Sequence, residues 1–173
     1  MVDKSRPVFS TADLYDAQAD EVGVIDLQFR CFGRHACFYG PIETLRVFED
    51  HSAVRDAAAL DGRGRVLVVD AGASLRIGVF GDRIGARAVE RGWAGVVVVG
   101  AVRDSEALDQ LDIGVRALGT TARRSSIEHP GERGVMLEIG GVTCEPGDWL
   151  YADRDAVLLS RRMLQVPTGG AAQ

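Results

Sequence analysis

Lysine is almost missing from this chain: Lys4 is the single lysine in 173 residues, and arginine supplies the rest of the 20 basic side chains. Covalent Schiff-base chemistry needs a lysine amine in a pocket, and one lysine in a polar N-terminus does not offer it. Basic residues are also outnumbered, 20 against 25 acids, for a net charge of -5. No broad basic surface is left to neutralise phosphates, which excludes nucleic acid as the main ligand. The three cysteines, Cys31, Cys37 and Cys144, are too few and of the wrong parity for a disulfide framework. No apolar run approaches the roughly 20 residues of a membrane span, and "MVDKSRPVF" is too polar for a signal peptide. A cytoplasmic chain with no membrane association is expected. Internal repeats, heptads, a P-loop and a GxGxxG fingerprint are absent as well, so a nucleotide is not indicated.

What is present is a core. Hydrophobic residues make up 46% of the sequence, enough for one α/β domain at this length. "RVLVVDAG" (65–72) and "AGVVVVGA" (94–101) are short valine-rich runs, as strands buried on both faces read. Between them "DRIGARAVERGW" (82–93) carries Ile84, Ala88 and Val89 on one helical face. A second pass predicts a short helix in "DSEALDQL" and a strand near "GVRALGTT", followed by a basic loop around Arg123 and Arg124 that reads as solvated or as reaching an anion or a neighbouring subunit. Earlier, "TADLYDAQAD" predicts a helix capped by Thr11, and "ACFYGPIETLRVF" predicts strand, bend, strand around Gly40 and Pro41. The last third turns at Gly140–Gly141 and Pro146–Gly147, as paired β-strands do.

Cys31, His35 and Cys37 lack the second ligand pair of a tetrahedral zinc site, so the cysteines read as buried free thiols. His51 and His129 have no partner at ligand spacing, and Trp93 and Trp149 read as packing anchors.

Ligands of open α/β sheets collect where strands end and helices begin, because helix N-termini offer free N–H groups. Two junctions qualify. At the first, the backbone amides of Gly81, Asp82, Arg83 and Ile84 are placed to hold a small carboxylate, while Asp82 reads equally as an ordinary helix cap. At the second, the valine run turns at Gly100 and delivers Arg103 and Asp104. Asp104 reads either as the cap of the next helix or as a hard oxygen ligand for Mg²⁺ or Mn²⁺, with Arg103 gripping an oxyanion through its planar fork.

The blocks "DLQFRCFGRHACFYGPIETLRVFED", "GRGRVLVVDAGASLRIGVFGDRIGARA", "GWAGVVVVGAVRD", "LDIGVRALGTTARRS" and "GGVTCEPGDWLYAD" resemble the RraA-like family, which includes 4-hydroxy-4-methyl-2-oxoglutarate aldolases, over roughly residues 11 to 160. The resemblance implies a three-layer β/β/α swivelling-type domain over 11–163, with a flexible N-terminus (1–10) and a disordered tail (164–173), assembled as a homotrimer with sites near subunit interfaces. The family's aldolases carry an aspartate, twenty intervening residues and then Arg-Asp, matched here by Asp82, Arg103 and Asp104.

By that resemblance Gly81, Asp82, Arg83 and Ile84 line the substrate pocket, Arg103 and Asp82 are catalytic, and Asp104 binds the divalent metal. The implied reaction cleaves 4-hydroxy-4-methyl-2-oxoglutarate into two pyruvates through a pyruvate enolate, with oxaloacetate decarboxylation as a side activity. One position departs from the pattern: Ala107 stands where an acid is expected, with Glu106 one place earlier. The resemblance also implies an alternative, binding and inhibition of ribonuclease E, although the regulators of that kind lack the aspartate after the arginine. A third name used in the family, menaquinone methyltransferase, finds no glycine-rich S-adenosylmethionine fingerprint here.

Overall fold

The structure, a computed structural model, describes residues 8–126 and 128–166. In chain order the elements are α1 (Thr11–Gln18), a 3-10 turn (Ala19–Glu21), β1 (Val22–Val24), β2 (Arg30–Phe32), β3 (Phe38–Arg46) and α2 (Ser52–Ala58). There follow β4 (Val66–Asp70), β5 (Gly78–Phe80), α3 (Asp82–Glu90), β6 (Gly95–Val102), α4 (Ser105–Leu108) and β7 (Gly114–Thr120). The chain closes with β8 (Glu132–Arg133), β9 (Leu137–Ile139), β10 (Val142–Cys144), β11 (Trp149–Ala152) and β12 (Val157–Ser160).

The two valine runs become β4 and β6, neighbours in a parallel core of order β3-β4-β6-β7. All eight residues of β6 are buried, which requires a cover on each face of the sheet. On one face Leu67, Val69, Val96, Val98 and Val115 meet Val54 and Ala58 of α2 and Ile84 and Ala88 of α3. On the other, Val66, Val68, Val97 and Val99 meet Leu137, Ile139, Leu150, Val157 and Leu159 from the late strands. The alternation of side chains along each strand thus feeds two cores, and the layers run β/β/α as expected.

β3 joins the layers. Its first residues pair with β11 and its last five run parallel to β4. The expected bend at Gly40–Pro41 is instead the point where one continuous strand changes partners. A Cβ at Gly40 would sit 2.3 Å from the Gly64 carbonyl oxygen, so only glycine permits that crossing.

Three other expectations need correction. Gly100 does not end its strand: β6 continues to Val102 with a register shift between Val98 and Ala101, and the glycine is needed because a Cβ there would meet the Ala71 methyl at 2.8 Å. Ser10, not Thr11, caps α1, accepting from the Asp13 N–H at 3.2 Å, while the Thr11 N–H and hydroxyl donate to buried Asp153 at 2.7 and 2.8 Å. Of the cysteines only Cys144 is buried, its thiol pushed up to about 12 by burial, whereas Cys31 lies exposed on edge strand β2.

Most of the expected flexible N-terminus (1–10) and disordered tail (164–173) falls outside the described residues. Residues 1–7 and 167–173 lie outside the described residues, but Phe9 and Leu164 are buried with Leu14 and Tyr151, and the Leu164 N–H donates to the Tyr151 hydroxyl at 2.7 Å. Apolar side chains at both boundaries pull those segments into the domain. Trp93 is the anchor expected of it, buried and donating from Nε1 to the carbonyls of Ala58 and Leu60 at 3.2 Å each.

Candidate active site

β5 was not legible in the sequence, and it builds the site. This three-residue strand runs parallel to the far end of β6, placing Gly78 opposite Ala101 and Phe80 opposite Val102. The Arg103 N–H then donates to the Phe80 carbonyl at 2.9 Å, so the exit of β6 is tied to the entry of α3. That single bond sets Arg103 and Asp104 beside Gly81 and Asp82.

The absence of side chains on two glycines makes room for the pair. A Cβ on Gly78 would lie 3.1 Å from Arg103 Cβ, and one on Gly81 would lie 3.1 Å from Arg103 Cγ and 2.8 Å from Asp104 Oδ2. The arginine stem therefore lies along a glycine-floored groove, and its Nε donates to Asp104 Oδ2 at 3.1 Å. With both side chains about a third exposed, 32% and 36%, that ion pair is worth at most about 1 kcal/mol and yields readily to a ligand.

Asp104 occupies the cap position of α4 but does not cap it: its side chain makes no bond to the helix. Its backbone is left-handed, φ 58° and ψ 42°, a conformation that costs a non-glycine residue on the order of 1 kcal/mol. The carboxylate is thereby turned away from the helix and towards Gly81. The capping alternative for Asp104 is set aside by this geometry.

At the other junction the cap position belongs to Gly81, and Asp82 is the first residue of α3. Asp82 Oδ1 accepts from the Arg83 N–H at 2.7 Å, and Gly85 N–H is bonded to the Gly81 carbonyl at 2.8 Å. Of the four amides named from sequence, Arg83's is thus occupied, while those of Asp82 and Ile84 have no partner among the described residues. Ile84 itself is buried in the core under the helix, so only its backbone is available to a ligand.

These residues line a cleft of about 970 Å³ that also takes in His51, Arg55, Arg87, Arg91 and Arg124. Six arginines and three aspartates face it, in a chain whose net charge is -5. Positive charge thus outnumbers negative in this cleft, which suits an anion. Sequence reading missed His51, Arg55, Arg87 and Arg91; Arg83, Arg87 and Arg91, spaced four apart along α3 and its C-cap, were the signal that could have found the last two. His51 is half-buried, with its Nδ1 buried and without a hydrogen-bond partner, 3.8 Å from Asp50 Oδ1. Ala107 and Glu106 are both exposed on α4, and neither lines the cleft.

Two smaller clefts are present: one of about 720 Å³ with Arg46, Glu49, Asp70 and His129, and one of about 500 Å³ beside α2 that shares Arg55 and Asp56 with the larger cleft. Neither contains a residue of the Arg-Asp junction. His35 is engaged with Asp112 at 3.0 Å, and among the described residues no group of three or more His, Cys, Asp or Glu side chains is placed to hold a metal ion. A hard divalent ion that keeps most of its waters needs only one or two carboxylates, however, and Asp104 over the Gly81 gap, with Asp82 nearby, has the chemistry for it.

A three-layer β/β/α domain with an Arg-Asp pair at a strand end facing a glycine-opened helix defines a class of α/β proteins. Within that class the chain belongs to the RraA-like family (Aldolase/RraA), whose family model matches residues 11–159. It is 47% identical to a protein of Alkalilimnicola ehrlichii named "Putative 4-hydroxy-4-methyl-2-oxoglutarate aldolase" over 89% of this chain and 96% of the relative. A relative of the same name from Laribacter hongkongensis is 50% identical over 88% of this chain and 96% of its own length.

Solved structures share the fold under other names. One described as the RNA-processing inhibitor RraA from Thermus thermophilis matches with a TM-score of 0.86 at 43% identity, covering 94% of this chain and 98% of that one. Another, described as an S-adenosylmethionine: 2-dimethylmenaquinone methyltransferase from Geobacillus kaustophilus, matches at 0.87 and 45% identity, covering 90% and 96%.

Proposed function

We propose that this chain is a lyase that cleaves 4-hydroxy-4-methyl-2-oxoglutarate to two molecules of pyruvate, with oxaloacetate decarboxylation as a side activity. The observation that carries the reading is Asp104: a strained, non-capping carboxylate held over Gly81 beside Arg103, at a helix end where the Asp82 and Ile84 amides have no partner among the described residues. The aldolase name of the relatives supports the same reading.

The substrate's carboxylate sits against the amides of Asp82 and Ile84, where the partial positive charge of the α3 N-terminus favours it. Its C2 oxygen then faces Arg103. Breaking the C3–C4 bond leaves an electron pair that becomes an enolate, with charge on that oxygen, and the guanidinium stabilises it there more strongly than it did the neutral ketone. Arg103 can turn to the oxyanion because its tie to Asp104 is weak. Asp104, with Asp82 beside it, would hold a divalent cation, Mg²⁺ or Mn²⁺, which when bound supplies further Lewis-acid stabilisation of the same charge. In this reading Asp82 accepts the C4 hydroxyl proton.

A coupled pyruvate assay tests this: turnover with Mg²⁺, none with EDTA, and at least a 100-fold fall in Asp104→Ala. Wild-type protein without metal-dependent turnover would remove the proposal. A homotrimer with the cleft near a subunit boundary belongs to the same reading and is checked by sedimentation. The inhibitor name of one structural relative supports a second reading, binding to ribonuclease E; the retained Asp104 favours the enzyme. Among the described residues no helix is long and apolar enough to cross a membrane, and the reading places the enzyme in the cytoplasm.

A further inference from the structure

The cleft holds more positive charge than one pyruvate unit uses. Arg103 is accounted for by the reaction centre, Arg55 is paired with Asp56 at 3.0 Å, and Arg87 is paired with Glu90 at 3.1 Å. Arg83, Arg91 and Arg124 line the same cleft with no carboxylate partner among the described residues, and of these three only Arg124 lies outside the α3 segment, on the loop tied to the strands of the reaction centre.

Its placement is not that of a free loop. The Thr121 N–H donates to the Val102 carbonyl at 3.0 Å, the Arg123 N–H to the Thr121 hydroxyl at 3.3 Å, and the Gly78 N–H to the Arg123 carbonyl at 2.9 Å. Val102 directly precedes Arg103, and Gly78 begins the strand on which Arg103's stem rests. The segment leading into Arg124 is thus pinned to both strands that build the reaction centre, by Thr121 to β6 and by Arg123 to β5. Of the two adjacent arginines, Arg124 lines the cleft and Arg123 does not.

We infer that Arg124 is the specificity-determining residue that binds the distal carboxylate of the substrate, on the half released as the second 2-oxo acid. This rests on the aldolase reading above. The substrate is then recognised at both ends, one carboxylate at the α3 amides and the other by the Arg124 fork, with the scissile bond held between them. A monoanionic 4-hydroxy-2-oxo acid fills only the first site. Selectivity for dianions therefore resides in this loop rather than in the Arg103–Asp104 pair.

The test compares kcat/KM for 4-hydroxy-4-methyl-2-oxoglutarate with that for 4-hydroxy-4-methyl-2-oxopentanoate, in which a methyl replaces the distal carboxylate. Wild-type protein should prefer the dianion, and Arg124→Gln should lower the ratio of the two values about 30-fold, the loss that goes with a charge-assisted hydrogen-bond pair. Arg124→Lys should recover part of the ratio, and Arg34→Gln, exposed and outside the cleft, should leave it as in wild type. An unchanged ratio in Arg124→Gln overturns the assignment. Exchange of the pyruvate methyl protons with deuterium separates this from failure of the reading itself: wild-type protein that catalyses no metal-dependent exchange and cleaves neither substrate overturns the aldolase reading and the distal site together. Exchange retained with an unchanged ratio overturns Arg124 alone.

Discussion

Gly81 and Asp104 are so close that a single methyl group added to the glycine would lie 2.8 Å from the aspartate's Oδ2. That contact joins two segments, the start of α3 and the end of β6, which the sequence separates by more than twenty residues.

Gly81→Ala should therefore fold and fail. The φ of -146° at Gly81 is extended backbone that alanine adopts without strain. The new methyl must displace the Asp104 carboxylate and crowd Arg103 Cγ. A fall of roughly 1.4–2.7 kcal/mol in transition-state stabilisation, or 10- to 100-fold in kcat/KM, with a thermal midpoint close to wild type, is the expected result; an unfolded variant would contradict it.

Asp104 itself separates function from stability. Glycine accepts φ 58° freely, so Asp104→Gly should keep or raise stability by up to about 1 kcal/mol, while removing the carboxylate and with it metal-dependent turnover. Asp104→Ala should lose the same activity and gain no stability. Chemical denaturation beside the pyruvate assay measures both.

Arg103→Lys keeps the charge and loses the planar fork. The groove over Gly78 and Gly81 fits the arginine stem, and an ammonium on a shorter reach meets the developing oxyanion with poorer geometry. A fall of about 10- to 100-fold in kcat, with a smaller change in KM, is expected from steady-state kinetics.

Asp153 holds the N-terminus and provides a stability test away from the cleft. Burial pushes its carboxyl up, but the Thr11 amide and hydroxyl and the amides of Asp155 and Ala156 outweigh that and hold it below 3.8. A depressed folded value means the stabilisation is complete above pH 3.8 and is lost as pH falls through the lower, folded value. Asp153→Asn should cost roughly 2–3 kcal/mol near neutrality and flatten the acid limb of the stability profile, read by denaturation between pH 7 and pH 2.

Much of the fold could be read from the residues because local physics agreed with the tertiary outcome. Valine runs of the length of β4 and β6 have few alternatives to a strand covered on both faces, and the helical spacing of Ile84, Ala88 and Val89 forced α3 onto the sheet. β5 was hidden because three residues carry no periodicity, and its pairing partner lies more than twenty residues ahead. Gly40 and Gly100 look like turns in the sequence because a glycine's local freedom and its need for a close neighbour leave the same mark there.

The sequence by itself determined the element types, the two junctions and the residues at them, since side-chain periodicity and chain punctuation are local properties. Only the tertiary structure decided that Asp104 does not cap its helix, that Arg124 shares the cleft of Arg103, and that an acidic chain gathers six arginines around one opening. Those outcomes depend on the Arg103 and Gly78 amides finding carbonyls on distant segments. A hydrogen bond across such a span leaves no mark in the residues that make it, because every backbone carries the same donor and acceptor.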